Sequence, residues 1–468
     1  MGTGAERSGS DERLVEQFGV EPIPKHLRTV GLRDLFALTF TFNLTPLNYV
    51  FGAIAVTAGN LPFWWAATAI GLGTVLANLL LVVVARAGVD YGLPGQVAMR
   101  ATFGQWGARL FTSAYKIVAS AYWFAAQALA GAFGIQAVVE GLSGRELPLV
   151  PVALGLAAIQ AILAAIGFDA LRYIVRVILP LMVLFTGVIV GLYLSSDDPR
   201  YNIGRVSDSP EQSFTWVGFA SFVTVMLGAQ LSNATNIADF SRYARSRREM
   251  QIGFLLGAAT AAFGSAWVGA YAAVASGNVN PFVAVSELTA SIPLLLLVLV
   301  AIFAQTTTVN IMNVYTGGLS LVNSAPRLGR FVATIVIGAV SVALSAFPDF
   351  INEAEKWITH LGNVAAPLAG VIVADYVVLK RMRLDVPALY DPNGRYRYVG
   401  GVNPAALFAV AIAVAVYYLI DDAWFKAAWG IGVGALGYLA LAGAQAALVP
   451  GTRSAIAPIE ETGAPARA

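Results

Sequence analysis

Ile292-Pro293-Leu294-Leu295-Leu296-Leu297-Val298-Leu299-Val300-Ala301-Ile302-Phe303-Ala304 runs directly into Gln305-Thr306-Thr307-Thr308-Val309-Asn310-Ile311-Met312-Asn313. The first stretch is apolar enough to cross a bilayer, and the second sets amides and hydroxyls at the same depth. Polar groups in hydrocarbon are costly and persist where they meet a partner, a cavity or a ligand. None of these side chains carries a formal charge. The run therefore points to a neutral, hydrogen-bonding solute, with room for a small cation.

The rest of the chain has the same character. Of its 468 residues, 57% are hydrophobic and only 12% charged, with a mean hydropathy of +0.70. A soluble domain carries about 25% charged residues, so this chain is embedded in the membrane throughout. It has no cysteine, and its histidines are His26 and His360. Disulfides, thiolate metal sites and histidine-based catalytic or metal centres are thereby disfavoured. The net charge of +2 is spread through loops and gives no basis for a nucleic-acid partner. The polar opening tract lacks the short apolar core and cleavage site of a signal peptide.

A membrane helix takes roughly 20 apolar residues. Twelve such spans are expected, at about 34–58, 62–86, 110–139, 149–167, 171–195, 214–237, 252–275, 292–315, 329–347, 357–379, 404–420 and 425–447. Basic residues collect in alternate loops: Lys25, Arg28 and Arg33; Arg86, Arg100 and Arg109; Arg172 and Arg176; Arg242 to Arg248; Arg327 and Arg330; Lys380 to Arg397. The positive-inside rule makes that side cytoplasmic, and an even number of spans puts both termini there. Residues 1–30 form an N-terminal tail, and 450–468 a C-terminal tail rich in Pro, Gly and Ala that is expected to be disordered.

Two spans are interrupted at corresponding places. Span 1 contains Asn43-Leu44-Thr45-Pro46-Leu47-Asn48, where Pro46 removes a backbone donor and disfavours helix just before it. Span 6 contains Gly228-Ala229-Gln230-Leu231-Ser232-Asn233-Ala234-Thr235-Asn236. A proline kink and amide-mediated helix packing would account for either alone. Together they fit a five-plus-five inverted repeat, with spans 1–5 (31–195) matched by spans 6–10 (212–380) and spans 11–12 (404–447) peripheral. In span 3, Trp123 and Gln127 are four residues apart and share a helical face. An indole can stack on a planar solute while an amide reads its edge. Trp also anchors membrane interfaces, but Trp123 lies deep in its span.

Asp239-Phe240-Ser241-Arg242-Tyr243-Ala244-Arg245 and Pro367-Leu368-Ala369-Gly370-Val371-Ile372-Val373-Ala374-Asp375-Tyr376 resemble the nucleobase–cation symporter-1 family. So do Gly92-Leu93-Pro94, Arg100-Ala101-Thr102-Phe103-Gly104 and Phe18-Gly19-Val20-Glu21-Pro22-Ile23-Pro24, the last resembling the purine–cytosine permease branch. The resemblance covers about 15–447. It implies the inverted-repeat transporter fold and import of a nucleobase-like heterocycle driven by Na⁺ or H⁺. It further implies substrate contacts from Trp123, Gln127 and Asn313, with Asn43 beside them. Thr307 and Thr308 would hold Na⁺ through their hydroxyls, and Ala304, Thr39 and Phe42 through their carbonyls. Where hydantoin-type members carry a second aromatic, Gln230 aligns here, with Gly228 and Ser232 as the neighbouring candidates.

No acid or histidine stands out at mid-membrane; Lys116 and Asp169 lie toward span ends, and Asp239, Arg242 and Asp375 are expected to order loops or gates. An oxygen-ligated cation is then a simpler driver than a proton. One charge crossing 100 mV supplies about 2.3 kcal/mol, roughly fifty-fold accumulation of a neutral solute. The expected protein is thus an all-α secondary transporter of the cell membrane, not an enzyme, acting as a monomer with a small heterocycle, a cation and the lipid bilayer as its partners. An amino-acid transporter of the same fold and H⁺-coupled symport are the alternatives.

Overall fold

A computed structural model describes residues 19–165 and 168–459, leaving out the side chains of 168–174 and 355. The tails at 1–18 and 460–468, and the side chains of Asp169 and Arg172, lie outside the described residues. Eight helices are long and apolar enough to cross a membrane, and shorter apolar helices occur at Pro46–Thr57, Leu149–Ala164, Trp216–Leu231 and Pro404–Leu419. Together they give the twelve expected spans. Among the described residues there is no strand, only isolated bridges at Val30 with Ala244 and Val399 with Val402. Residues 450–459, expected to be disordered, carry the short helix Arg453–Ile456. The reason is packing: Ala455 and Ile456 are buried, and Arg395 donates to the Ala457 carbonyl.

Span 1 stops at Asn43 and restarts at Pro46, so its halves are Leu32–Asn43 and Pro46–Thr57. Thr45 is extended between them (φ −137°, ψ 159°), and its hydroxyl caps the second half by accepting from Asn48 N. Proline at the first position of that half gives up no hydrogen bond a helix needs. Span 6 breaks without a proline. Trp216–Leu231 gives way to tight turns in which Ala234 N donates to Leu231 O and Asn236 N to Asn233 O, before Ile237–Ser241 resumes.

Neighbour relations repeat with an offset of five. Span 1 packs on span 7 (Arg247–Ser276) as span 6 packs on span 2 (Phe63–Val84); span 1 meets span 5 (Phe168–Leu194) as span 6 meets span 10 (Ala354–Val373). Span 3 (Ser113–Ser143) lies along span 8 (Ile292–Ser324), and span 4 (Leu149–Ala164) meets span 9 (Gly329–Leu344). That is what two repeats wound about one pseudo-twofold axis produce. Span 3 is 78% buried in its apolar window, against 22% for spans 5, 9 and 12 (Lys426–Leu448), so span 3 lies inside the bundle and the latter three face lipid. Gly269 allows the closest crossing: a methyl there would sit 1.8 Å from the Tyr49 carbonyl of span 1.

Candidate functional site

The two breaks, span 3 and span 8 enclose a small buried cavity. Phe42, Phe51, Met226 and Val309 form its apolar wall, the Trp123 indole a flat side, and Asn48, Gln127, Gln230, Asn233 and Asn313 its polar lining. Trp123 is fixed because its Nε1 donates to Ser232 Oγ at 3.0 Å, and Ser232 donates to Ala229 O at 2.6 Å. Gln127, Gln230 and Asn313 are at most 7% exposed. Span 6 contributes the Gln230 amide where hydantoin-type members carry a second aromatic, and Phe42 and Phe51 of span 1 supply rings to the wall. Neither phenylalanine carries a sequence signal for this role. Asn233 and Asn48 did carry one, as amides inside the breaks.

The other expected contacts sort by position. Asn43 lines an adjoining cavity with Thr39, Asn78 and Gln230, and it acts through Gln230, whose Nε2 donates to Asn43 Oδ1 at 2.7 Å. Gly228 turns away from the cavity to meet Gly362: a methyl there would lie 2.8 Å from the Gly362 Cα, so its small size serves the crossing of spans 6 and 10.

The expected cation ligands fall on spans 1 and 8, which touch. In a continuous helix the Phe42 carbonyl would pair with the N–H of residue 46, but Pro46 has none and no described donor replaces it. Thr307 Oγ1 is buried with no hydrogen-bond partner, an expensive arrangement unless a ligand completes it. Thr308 Oγ1 donates to Ala304 O at 2.8 Å, which leaves its lone pairs free. These three oxygens suit a hard cation. The Thr39 and Ala304 carbonyls each already accept a side-chain donor, the Asn43 amide at 2.9 Å and the Thr308 hydroxyl, while the Thr39 hydroxyl donates to Leu35 O at 3.0 Å with Gly253 O at 3.2 Å.

Lys116 is the fourth residue of the regular helix Ser113–Ser143, toward a span end as expected, and is 1% exposed. Its Nζ donates to Asn233 Oδ1 at 3.2 Å, which gives the buried amine a hydrogen-bond partner.

One end of the molecule gathers the basic loops and is sealed. Arg242 is fully buried, donating to Gly19 O and to the Tyr315 hydroxyl; Ile23 N donates to Gly92 O and Tyr390 OH to Val20 O. Asp239 accepts from Gly95 N at 2.7 Å, and Asp375 holds Lys380, Thr102 and Tyr438. Asp239, Arg242 and Asp375 thus tie spans and loops together away from the cavity. The opposite end opens into a vestibule of about 580 Å³, lined by Val50, Ile54, Phe133 and Lys356 among others. Val50 of the vestibule and Phe51 of the inner cavity are consecutive residues of the second half of span 1.

Residues 22–440 match the family model described as permease for cytosine/purines, uracil, thiamine and allantoin. The chain is 27% identical to the hydantoin permease of Microbacterium maritypicum over 415 residues, 85% of this chain and 83% of that one. It is 25% identical to the allantoin permease of Bacillus subtilis (84% of this chain, 85% of that one) and 25% identical to the cytosine permease of Escherichia coli K12 (91% and 94%). In fold it resembles a nucleobase-cation-symport-1 family transporter solved in a closed conformation with bromovinylhydantoin bound, with a TM-score of 0.81 and 23% identity over 94% of this chain and 99% of that one. With a family model spanning nearly all its helices and an inverted-repeat transporter as its structural counterpart, the chain belongs to the nucleobase–cation symporter-1 family of membrane permeases and is a transporter, not an enzyme.

Proposed function

We propose that the protein imports a neutral planar nucleobase or related heterocycle of the cytosine or purine type by symport with Na⁺. The observation that carries this reading is the buried cavity in which the Trp123 face meets the Gln127 and Asn313 amides with no charged side chain in its lining. A planar solute would stack on the indole, an interaction worth about 0.5–1.5 kcal/mol beyond burial, while the amides pair with its edge. Na⁺ would be held by the Phe42 carbonyl and the Thr307 and Thr308 hydroxyls, bridging the open end of the first half of span 1 to the middle of span 8. The basic, sealed end would be cytoplasmic and the vestibule external, so solute enters from outside and leaves when the basic end opens. The unit would be a monomer.

Uptake of radiolabelled cytosine, adenine, hypoxanthine, uracil, hydantoin and allantoin into proteoliposomes, under imposed Na⁺ or H⁺ gradients, tests this. A Na⁺-driven accumulation of at least one is expected; uptake indifferent to both gradients would remove symport. A proton-driven reading has one observation in its favour, the buried Lys116 ammonium against Asn233 of the cavity. Accumulation driven by a pH gradient without Na⁺ would select it.

A further inference from the structure

The amides around the cavity do not all have freedom to present either end to a solute. A backbone carbonyl can only accept, so an amide bonded to one must turn its NH₂ that way. Asn310 Nδ2 donates to Phe124 O at 3.2 Å and to Gln160 Oε1 at 2.6 Å. Asn310 Oδ1 is therefore left for Asn313, whose Nδ2 donates to it at 3.3 Å. Gln160 Nε2 donates to Thr306 Oγ1 at 2.8 Å, and Thr306 donates to Ile302 O at 2.8 Å, so the chain has one direction throughout.

Two more amides are fixed in the same way. Asn43 Nδ2 donates to Thr39 O, which leaves Asn43 Oδ1 to accept from Gln230 Nε2. Asn48 Nδ2 donates to Asn43 O at 2.6 Å. No described donor reaches Asn313 Oδ1, Gln230 Oε1 or Asn48 Oδ1, and all three residues line the cavity. Gln127 differs. Its Nε2 donates to Thr45 Oγ1 at 3.2 Å, its Oε1 is buried without a partner, and a hydroxyl can donate as well as accept. Turned over, Gln127 would accept from Thr45 and offer its NH₂ to the solute.

Building on the reading of the site as a heterocycle pocket, we propose that it selects solutes by polarity: Asn48, Gln230 and Asn313 present fixed acceptors that demand ring N–H donors, while Gln127 swivels to read an amino or an oxo substituent. The substrate class is then a neutral planar heterocycle with at least two free N–H groups. Amino and oxo congeners are both admitted, and ring N-methyl derivatives are refused. Asn310 is the positioning residue that sets the polarity of Asn313.

The test is competition binding to the purified full-length protein in saturating Na⁺, using uracil, cytosine, hydantoin, hypoxanthine and adenine. Each is paired with its ring N-methyl derivative, and 5-methyluracil serves as a control of equal bulk. An unpaired buried acceptor corresponds to roughly a 10- to 100-fold loss, so N-methylation should weaken any parent that binds by that factor. Cytosine N3 accepts where uracil N3–H donates, so the two should stay within about 10-fold only with N1–H on the fixed acceptors and the C4 substituent on Gln127; a larger deficit for cytosine overturns the swivel. In Asn310→Leu, which frees Asn313 to turn over, the N-methyl penalty should fall to a few-fold; a purely steric penalty would persist. N-methyl derivatives that bind within about 3-fold of their parents overturn the polarity while leaving the permease reading intact. If no parent heterocycle binds, that reading falls and this proposal with it.

Discussion

Spans 1 and 6 are broken at matching places, yet the two breaks are finished differently. At the first, nearly every freed group is used: Thr45 Oγ1 accepts from Asn48 N and Gln127, and Asn43 O accepts from Asn48 Nδ2 and Ser265. The Phe42 carbonyl is left open, by the one residue type that cannot donate to it. At the second break, Thr235 Oγ1 and both amide atoms of Asn236 are buried without partners. Unmade hydrogen bonds of buried groups cost about 1–3 kcal/mol each. A well-satisfied break makes a fixed post, while an under-satisfied one stores free energy that rearrangement or hydration can release. The pair teaches that one topological device can serve as anchor on one repeat and as yielding element on the other.

The sharpest way to break this comparison is Pro46→Ala. It supplies the missing N–H to the Phe42 carbonyl, and Na⁺ stimulation of uptake should fall on the order of 10-fold or more, read from the Na⁺ dependence of proteoliposome transport. Unchanged Na⁺ dependence would mean the open carbonyl is incidental. Thr307→Val keeps the shape of span 8 and deletes its partnerless hydroxyl. Half-saturation by Na⁺ should rise about 10-fold while stability without Na⁺ holds or improves by about 1 kcal/mol, because an unmet polar group has gone. Asn236→Leu should likewise stabilise, by about 1–2 kcal/mol in thermal unfolding, and slow transport; destabilisation would show that hidden partners satisfy the second break. The smallest effect is expected for Asn48→Ala, a loss of about 1 kcal/mol at the satisfied break. Its opposite sign to Asn236→Leu is the discriminating readout.

Periodicity made much of this legible. Apolar length located the twelve spans, most to within a few residues, because a helix satisfies its own backbone groups in lipid; span 8 alone runs nine residues past its expected end, to Ser324. Pro46 announced the first break, since its missing N–H is a local fact. The second break was marked only by a cluster of small and polar residues, and its turns depend on tertiary support. At the site, Trp123, Gln127 and Asn313 were readable from depth and helical spacing together with family likeness. Gly228 was not separable from Ala229, because the face of span 6 that meets Gly362 is set by how the repeats cross. Phe42 and Phe51 look like any core aromatics until span 1 is bent. The partner of Lys116 was hidden for a related reason: counting residues along span 3 cannot foresee that Asn233 will come to meet it.

The nine-residue helix Gly95–Phe103 joins the sealed end from three sides. Its first N–H bonds Asp239 after span 6, Arg100 donates to Asn323 at the end of span 8, and Thr102 donates to Asp375 beyond span 10. Gly95 is pressed so near the second break that a methyl would fall 2.3 Å from Thr235 O. Three charge-assisted links on one short rod act like bolts on a common crossbar: withdrawing one leaves the other two still holding. The sealed end is therefore held across three spans through one short helix, so that no single span carries the closure alone.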